Sequence, residues 1–262
     1  MKLYDETIRK VQGLLSGENE TAPGTGGQRE LAEKRSGDGS RNVRKLPHDA
    51  TGWPSVSDRS MILRSDMAYE LGGGSLPALG VTLVTASKEL VPGDGVYLIG
   101  PDLPEITVDT PFARIALVRV GEDTLGEGRK LYRAIRNLEY TRYHFYPEGF
   151  MLRVSASKRR ESVRIGREAL KKGLDFAKTG SQMITDFHTH PEVEAVEIYY
   201  VTAKDFPYKE LDMLSLESEK ITGTLDHMMQ NLVMDCGVCG LKQVCDEVEG
   251  LRELHFHEAR EN

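Results

Sequence analysis

Three observations predict an α+β fold, mixed α/β in the order of its elements. Short β-rich runs recur between residues 80 and 202, segments of helical period lie between them, and Gly, Pro or Asp bounds most runs. The strands stand in both hairpin-like and crossover settings, which excludes an all-β or a purely helical design. One compact sheet-and-helix domain is expected, followed by a C-terminal helix and a cysteine-bearing segment.

The elements follow in order. Residues 1–15 form an N-terminal amphipathic helix, because Leu3, Tyr4, Ile8, Val11, Leu14 and Leu15 share one helical face. Residues 16–52 are expected to be a flexible linker. G-E-N-E-T-A-P-G-T-G-G and R-S-G-D-G-S-R-N hold too few large apolar residues to offset the entropy of ordering them. The first helix is then either a peripheral cap or a tethered docking element for a partner. The α+β domain, 53–210, opens at Trp53, with strands at 80–85, 96–99, 114–120, 150–155 and 196–202. Helices are expected at 125–142, through Leu131, Ile135 and Leu138, and at 161–172 and 179–187. In the last segment, 211–262, Leu225, Met228, Met229, Leu232 and Val233 fall on one stripe of a helix leading into the first cysteine. Gly72-Gly73-Gly74 and residues 92–95 are turns, lacking the strand–G-x-G-x-x-G–helix context of a dinucleotide site.

Composition narrows the function classes. The 262 residues carry a net charge of −7, and the pI is about 5.6, so no basic footprint argues for nucleic acid. No apolar run approaches the roughly 18–20 residues of a membrane span. The N-terminus interleaves acids and bases where a secretion signal would be apolar. A cytoplasmic protein with reduced thiols is expected.

The chemistry of the chain concentrates at its cysteines. Cys236, Cys239 and Cys245 are all the cysteines present, in M-D-C-G-V-C-G-L-K-Q-V-C-D. C-x2-C lets neighbouring thiolates grip one metal, and thiolates select iron–sulfur clusters, zinc or copper(I). The C-terminal segment is therefore read as a metal-binding helix and loop. Asp246, His255 and His257 are the available fourth ligands; a Cys3His set closed by His255 or His257 would suit zinc.

The body carries a resemblance. Asp66-Met-Ala-Tyr-Glu-Leu-Gly-Gly73, Ile99-Gly-Pro-Asp-Leu103, Leu152-Arg-Val-Ser155 and Lys172-Gly-Leu-Asp-Phe176 occur in order, followed by the strand before Thr202 and the helix ending in C-x2-C. This succession resembles the beta subunit of carbon monoxide dehydrogenase/acetyl-CoA synthase, its middle domain and the start of its metal domain, over residues 55–250. The resemblance implies that Cys236, Cys239 and Cys245 match cysteines holding a four-iron cluster (4Fe-4S) beside nickel, with Cys239 in the bridging position. It also implies partners among carbon monoxide dehydrogenase or corrinoid protein components of anaerobic one-carbon metabolism.

The sequence departs from that pattern. Residues 246–257 hold no cysteine, and the later C-G-C that completes the nickel site does not occur. A shortened relative is expected, with an iron–sulfur cluster, zinc as the alternative and nickel not expected. Its role is then accessory or electron-handling, and it would not make acetyl-CoA alone. The competing reading is a non-catalytic binding module with a structural zinc, docking onto a larger complex through its N-terminal helix.

Two further features carry weaker signals. Asp186-Phe-His-Thr-His-Pro191 contains the H-x-H of metal hydrolases, but the partner positions those sites require are not met: Ile198 stands where a Ser is needed, and Asp205 is too distant. The resemblance puts His188 and His190 at a helix end, where an imidazole complements the helix dipole. Arg160, Arg164, Arg167 and Lys171 recur at helical spacing as a basic stripe, beside Lys158, Arg159 and Lys172. Such a stripe is either a solvated face or a seat for coenzyme A phosphates or an acidic partner.

Overall fold

The computed structural model describes residues 2–17, 41–49, 61–125, 128–155 and 159–229. Its elements are α1 (Asp5–Ser16), β1 (Arg44–Leu46), β2 (Met67–Leu71), β3 (Ala78–Thr85), β4 (Gly95–Ile99), β5 (Phe112–Val120), α2 (Gly128–Tyr140), β6 (Phe150–Val154), β7 (Glu161–Gly166), α3 (Arg167–Lys171), α4 (Phe176–Phe187), β8 (Val193–Val201) and α5 (Tyr208–Met229). The α+β expectation is met by two sheets.

The larger sheet has the order β1-β4-β8-β5-β3, with β4 parallel to β8, β8 antiparallel to β5, and β5 parallel to β3. Its central strands read F-A-R-I-A-L-V-R-V and V-E-A-V-E-I-Y-Y-V and are buried nearly throughout, as a sheet covered on both faces requires. Helix α4 covers the face that carries Val96; a side chain at Gly180 would sit 2.5 Å from Val96 Cγ1. Helix α1 covers the opposite face, where the Thr85 hydroxyl donates to Asp5 Oδ1 at 2.7 Å. The smaller sheet, β2-β7-β6, is antiparallel throughout. It joins the larger one through the Leu79–Arg160 bridge and the bond from Gly80 N–H to the Arg159 carbonyl.

The first helix is part of the core. Leu3, Tyr4, Ile8, Val11 and Leu15 are all buried, and fully burying Ile8 and Val11 stabilises by about 1.5–3 kcal/mol each. Tyr4 Oη lies 3.0 Å from Thr222 Oγ1 of α5, and Gln12 donates to the Leu90 carbonyl. The apolar face considered for partner docking is thus occupied by the chain itself. The segment expected to be linker also contributes structure: β1 pairs with β4 and buries Leu46, for which the short run R-K-L suffices.

Residues 161–172, expected as helix, begin instead with strand β7. Val163 and Ile165 alternate inward, and only 167–171 turn helical. The arginine spacing fits a helix, but the β-branched alternation E-S-V-R-I-G decides the local structure. The basic stripe therefore does not exist as one helix face. Arg160 donates to the carbonyls of Gly72 and Gly74, Arg164 to that of Ile62 and Arg167 to that of Met67, while Lys171 pairs with Glu168.

The motifs that carry the resemblance sit at joints of this fold. Asp102 caps the 3-10 turn of residues 103–105 in a reciprocal capping box and also accepts from Phe176 N–H, tying that turn to the start of α4. Tyr69 donates to the Leu103 carbonyl at 2.5 Å. Asp175 caps α4 through Lys178 N–H. Gly72 adopts φ +68°, and a Cβ there would lie 2.4 Å from that of Ala78.

Candidate functional site

The sequence-predicted metal ligands Cys236, Cys239, Cys245, His255 and His257, and Asp246 with them, lie outside the described residues. Helix α5 precedes them in the sequence and is described to Met229. By residue type the set suits a soft metal: three thiolates at C-x2-C-x5-C spacing with imidazoles following. Among the described residues, no group of three or more His, Cys, Asp or Glu side chains could hold a metal ion.

The H-x-H motif is divided by the structure. His188 terminates α4 and its Nε2 lies 3.0 Å from Asp94 Oδ2, whereas His190 Nε2 lies 3.0 Å from Thr141 Oγ1. Asp94 also accepts from Val196 N–H, so the 92–95 turn is fastened to β8. Asp186, two residues before the pair, is half-buried, and burial pushes its carboxyl up to about 6; its Oδ2 has no hydrogen-bond partner among the described residues.

The most developed polar site was not visible in the sequence. It lies where the two sheets meet. Arg114 of β5 and Glu161 of β7, 1% and 0% exposed, form a bidentate pair: Nε donates to Oε1 at 2.6 Å and a terminal nitrogen to Oε2 at 2.9 Å. Burial works against the guanidinium charge, but Glu161 outweighs it and holds the Arg114 pKa above its usual value. A third charge, Arg142, stands 3.6 Å from Glu161 Oε2. Gly80 makes room for the pair, since a Cβ there would fall 2.2 Å from Glu161 Oε2.

Above this junction lies a cavity of about 380 Å³. Its floor is Gly80–Thr82 of β3, and one side is Glu139 of α2 and Arg142 of the 3-10 turn that follows it, with Arg159. The other side is Ser215, Ser218, Glu219, Thr222 and Gly223 of α5. The charged wall groups are cross-linked: Arg159 lies 3.3 Å from both Asp212 and Glu219, and Glu139 lies 3.1 Å from Arg136 and accepts from Thr222. The arginines were hard to read because their partners stand far away in sequence. Only E-S-V-R-I-G, a Glu at an inward strand position, carried a signal.

A second acid is buried elsewhere in the larger sheet. Glu197 accepts from Tyr199 at 2.8 Å and from Tyr97 at 3.5 Å, and the two tyrosine rings stack at 4.6 Å. Burial raises the Glu197 carboxyl and pushes Tyr97 up to about 12, so both stay protonated further up the pH scale than in water.

No helix among the described residues is long and apolar enough to cross a membrane. Among curated proteins, none matches this chain. The family model described as the CO dehydrogenase/acetyl-CoA synthase complex beta subunit matches residues 56–206, which takes in β2 through β8 with both sheets' junction and stops before α5. That span is more than half of the 262 residues and contains the motifs now seen to hold the fold's joints, and the chain belongs to the CO dehydrogenase/acetyl-CoA synthase complex beta subunit family.

Proposed function

We propose that this chain is a cytoplasmic iron–sulfur protein of anaerobic one-carbon metabolism, with an accessory or electron-handling role beside carbon monoxide dehydrogenase or corrinoid protein components. The observation that carries this reading is the cysteine triplet at 236, 239 and 245, downstream of a domain that belongs to the family. Three thiolates would hold three irons of a 4Fe-4S cluster, leaving one iron to a non-cysteine ligand such as His255 or His257. Such a cluster would supply one-electron transfer or an open iron. The role is accessory because residues 246–257 lack the further cysteine that the family resemblance leads one to expect.

The missing fourth thiolate favours a second reading, a structural zinc in a Cys3His site. Metal analysis separates the two. Protein purified and reconstituted without oxygen should be brown, with iron and acid-labile sulfide near one cluster per chain, and Cys239→Ser should lose both. A colourless protein with one tightly bound zinc supports the second reading and ends the first; a metal-free protein ends both. Co-purification of a carbon monoxide dehydrogenase component with the tagged chain checks the partner.

A further inference from the structure

Strand β6 is an edge strand. In the order β2-β7-β6 it pairs with β7 and, among the described residues, with no strand on its other side. The alternation of the ladder decides which backbone groups are left over. Gly166 N–H donates to the Gly149 carbonyl and Ser155 N–H to the Arg160 carbonyl, so residues 149, 151, 153 and 155 form the bonded pairs with β7. The N–H and C=O groups of Leu152 and Val154 therefore point away from β7, and they make no hydrogen bond among the described residues. Such a row is a template for another strand, and proteins usually blunt it with Pro or a bulge. The run F-M-L-R-V has no Pro, and its register with β7 is unbroken.

A groove of about 520 Å³ runs along this edge. One wall is Tyr143 and Phe145, the latter edge-on to Phe150 with ring centroids 5.9 Å apart. The other is Met61 and Ile62, whose N–H lies 3.3 Å from Met151 Sδ. Side chains 150 and 151 point to opposite faces of β6, so the walls stand on opposite faces with the open edge between them. A single extended segment fits that arrangement. A second copy pairing through the same edge would bring its own walls against these. Met61 is 68% and Tyr143 41% exposed, and with Leu63 and Tyr140 they make four of the seven exposed large apolar side chains among the described residues. Clustering of that kind marks an interaction surface.

The charge at the groove narrows the occupant further. Glu70 is shared by two arginines, Arg153 at 2.6 Å and Arg164 at 3.8 Å. Arg153 lines the groove with its side chain 43% exposed and bonds Glu70 through one nitrogen, which leaves further donors turned to solvent. No acidic side chain among the described residues lines the groove. Glu148, between two residues that do, is paired with Lys172 at 2.8 Å.

We infer that this groove takes an extended acidic–apolar peptide segment of a partner protein, added beside β6 as a further strand of the smaller sheet. Its backbone pairs with Leu152 and Val154. Apolar side chains on one face meet Phe145 and Leu152, and a carboxylate on the other face meets Arg153. This surface is separate from the cysteine segment and does not depend on which metal that segment holds.

The probe is an immobilised library of synthetic peptides about seven residues long, enough to span β6, in which apolar residues alternate with Asp, Glu, Thr or Lys. The full chain is expected to select peptides with an acid, and the best of them, fluorescently labelled, should bind with a Kd on the order of 10–100 μM by anisotropy. N-methylating its alternate amides should distinguish two sets: methylation of the set facing β6 weakens binding by about tenfold or more, and methylation of the other set changes it less than about twofold. Replacing the peptide's acid by Lys, or Arg153→Gln in the protein, should each weaken binding about 5–10-fold. The proposal is overturned if no peptide is selected, if basic peptides bind as well as acidic ones, or if both N-methylated sets behave alike. It is also overturned if no peptide binds and light scattering finds a dimer that Val154→Pro abolishes, which would assign the edge to a second copy.

Discussion

Helices α4 and α5 pack against the same body in opposite ways. On α4 the hydroxyls of Thr179, Ser181 and Thr185 all donate to carbonyls one turn back. Its Gly180 is pressed against Val96, and Phe176, Met183, Ile184 and Phe187 fill the interface. On α5 the corresponding interface toward β3 is polar and partly empty: Ser215, Ser218 and Gly223 line a cavity, and a Cβ at Gly223 would meet nothing within 4 Å. The first helix maximises contact, whereas the second leaves contacts unmade around charged groups. Stability forgone at one place and not at another marks where a fold serves something besides its own cohesion.

The largest effect should come from the junction beneath α5. Glu161→Ala leaves Arg114, and Arg142 beside it, without the carboxylate that balances them in a fully buried position. A loss of about 3–5 kcal/mol is expected by urea denaturation. Glu161→Gln keeps the shape and one acceptor and should lose less. A loss under about 1 kcal/mol for the alanine variant would mean that the two sheets are not held by this pair.

The two glycines test the contrast directly. Gly180→Ala drives a methyl to 2.5 Å from Val96, and a net loss of about 1–2 kcal/mol should remain after the gain in helix propensity. Gly223→Ala meets nothing and should stabilise by up to about 1 kcal/mol. Equal effects of the same sign, measured by denaturant midpoints at constant m, would erase the difference between the helices.

Much of this architecture was legible in the sequence, and the reasons differ by element. Strands β3, β4, β5 and β8 announced themselves because buried strands read as apolar, β-branched runs, and the half-buried β6 by its apolar start F-M-L. Strand β7 was hidden because Arg160, Arg164 and Arg167 recur at helical spacing while Val163 and Ile165 alternate at strand spacing; two periods competed in one short segment. Strand β1 was hidden because three residues carry no period at all. The ion-pair junction and the cavity were illegible for a different reason. Arg114 and Glu161 are 47 positions apart, and Arg142 and the α5 serines are further separated, so only the fold brings them together.

A smaller effect concerns the C-terminal turn of α4, where Asp186, like Gln182 one turn earlier, leaves a buried side-chain oxygen unsatisfied among the described residues. Asp186 has a carboxyl raised by burial to about 6 from an ordinary value near 3.8, and its Oδ2 lacks a partner among the described residues. The folded state therefore binds the proton more tightly than the unfolded chain. Its contribution to stability is complete below pH 4 and is lost as the pH rises through 6. Its charge also opposes the helix dipole there. Asp186→Asn should stabilise by about 1 kcal/mol at pH 7.5, after allowance for solvent screening, and the gain should vanish near pH 3.5. A gain independent of pH would show that the carboxylate charge is not the cause.

The smallest effect is also the sharpest test of the comparison, because it changes one oxygen atom on each helix. The Ser181 hydroxyl donates to the Ala177 carbonyl at 2.8 Å and lies 3.2 Å from His48 Nδ1, so Ser181→Ala forfeits bonds that hold residues 41–49 to α4. A loss of about 0.5–1.5 kcal/mol is expected, reduced by the better helix propensity of alanine. Ser215→Ala removes a hydroxyl that faces the cavity and has no hydrogen-bond partner among the described residues. No hydrogen bond among the described residues is lost with it, while the propensity gain favours the alanine. Ser215→Ala should therefore leave stability unchanged or raise it by about 0.5 kcal/mol. If the two substitutions cost the same, the Ser215 hydroxyl contributes as much as that of Ser181, and the contrast between the helices does not extend to their serines.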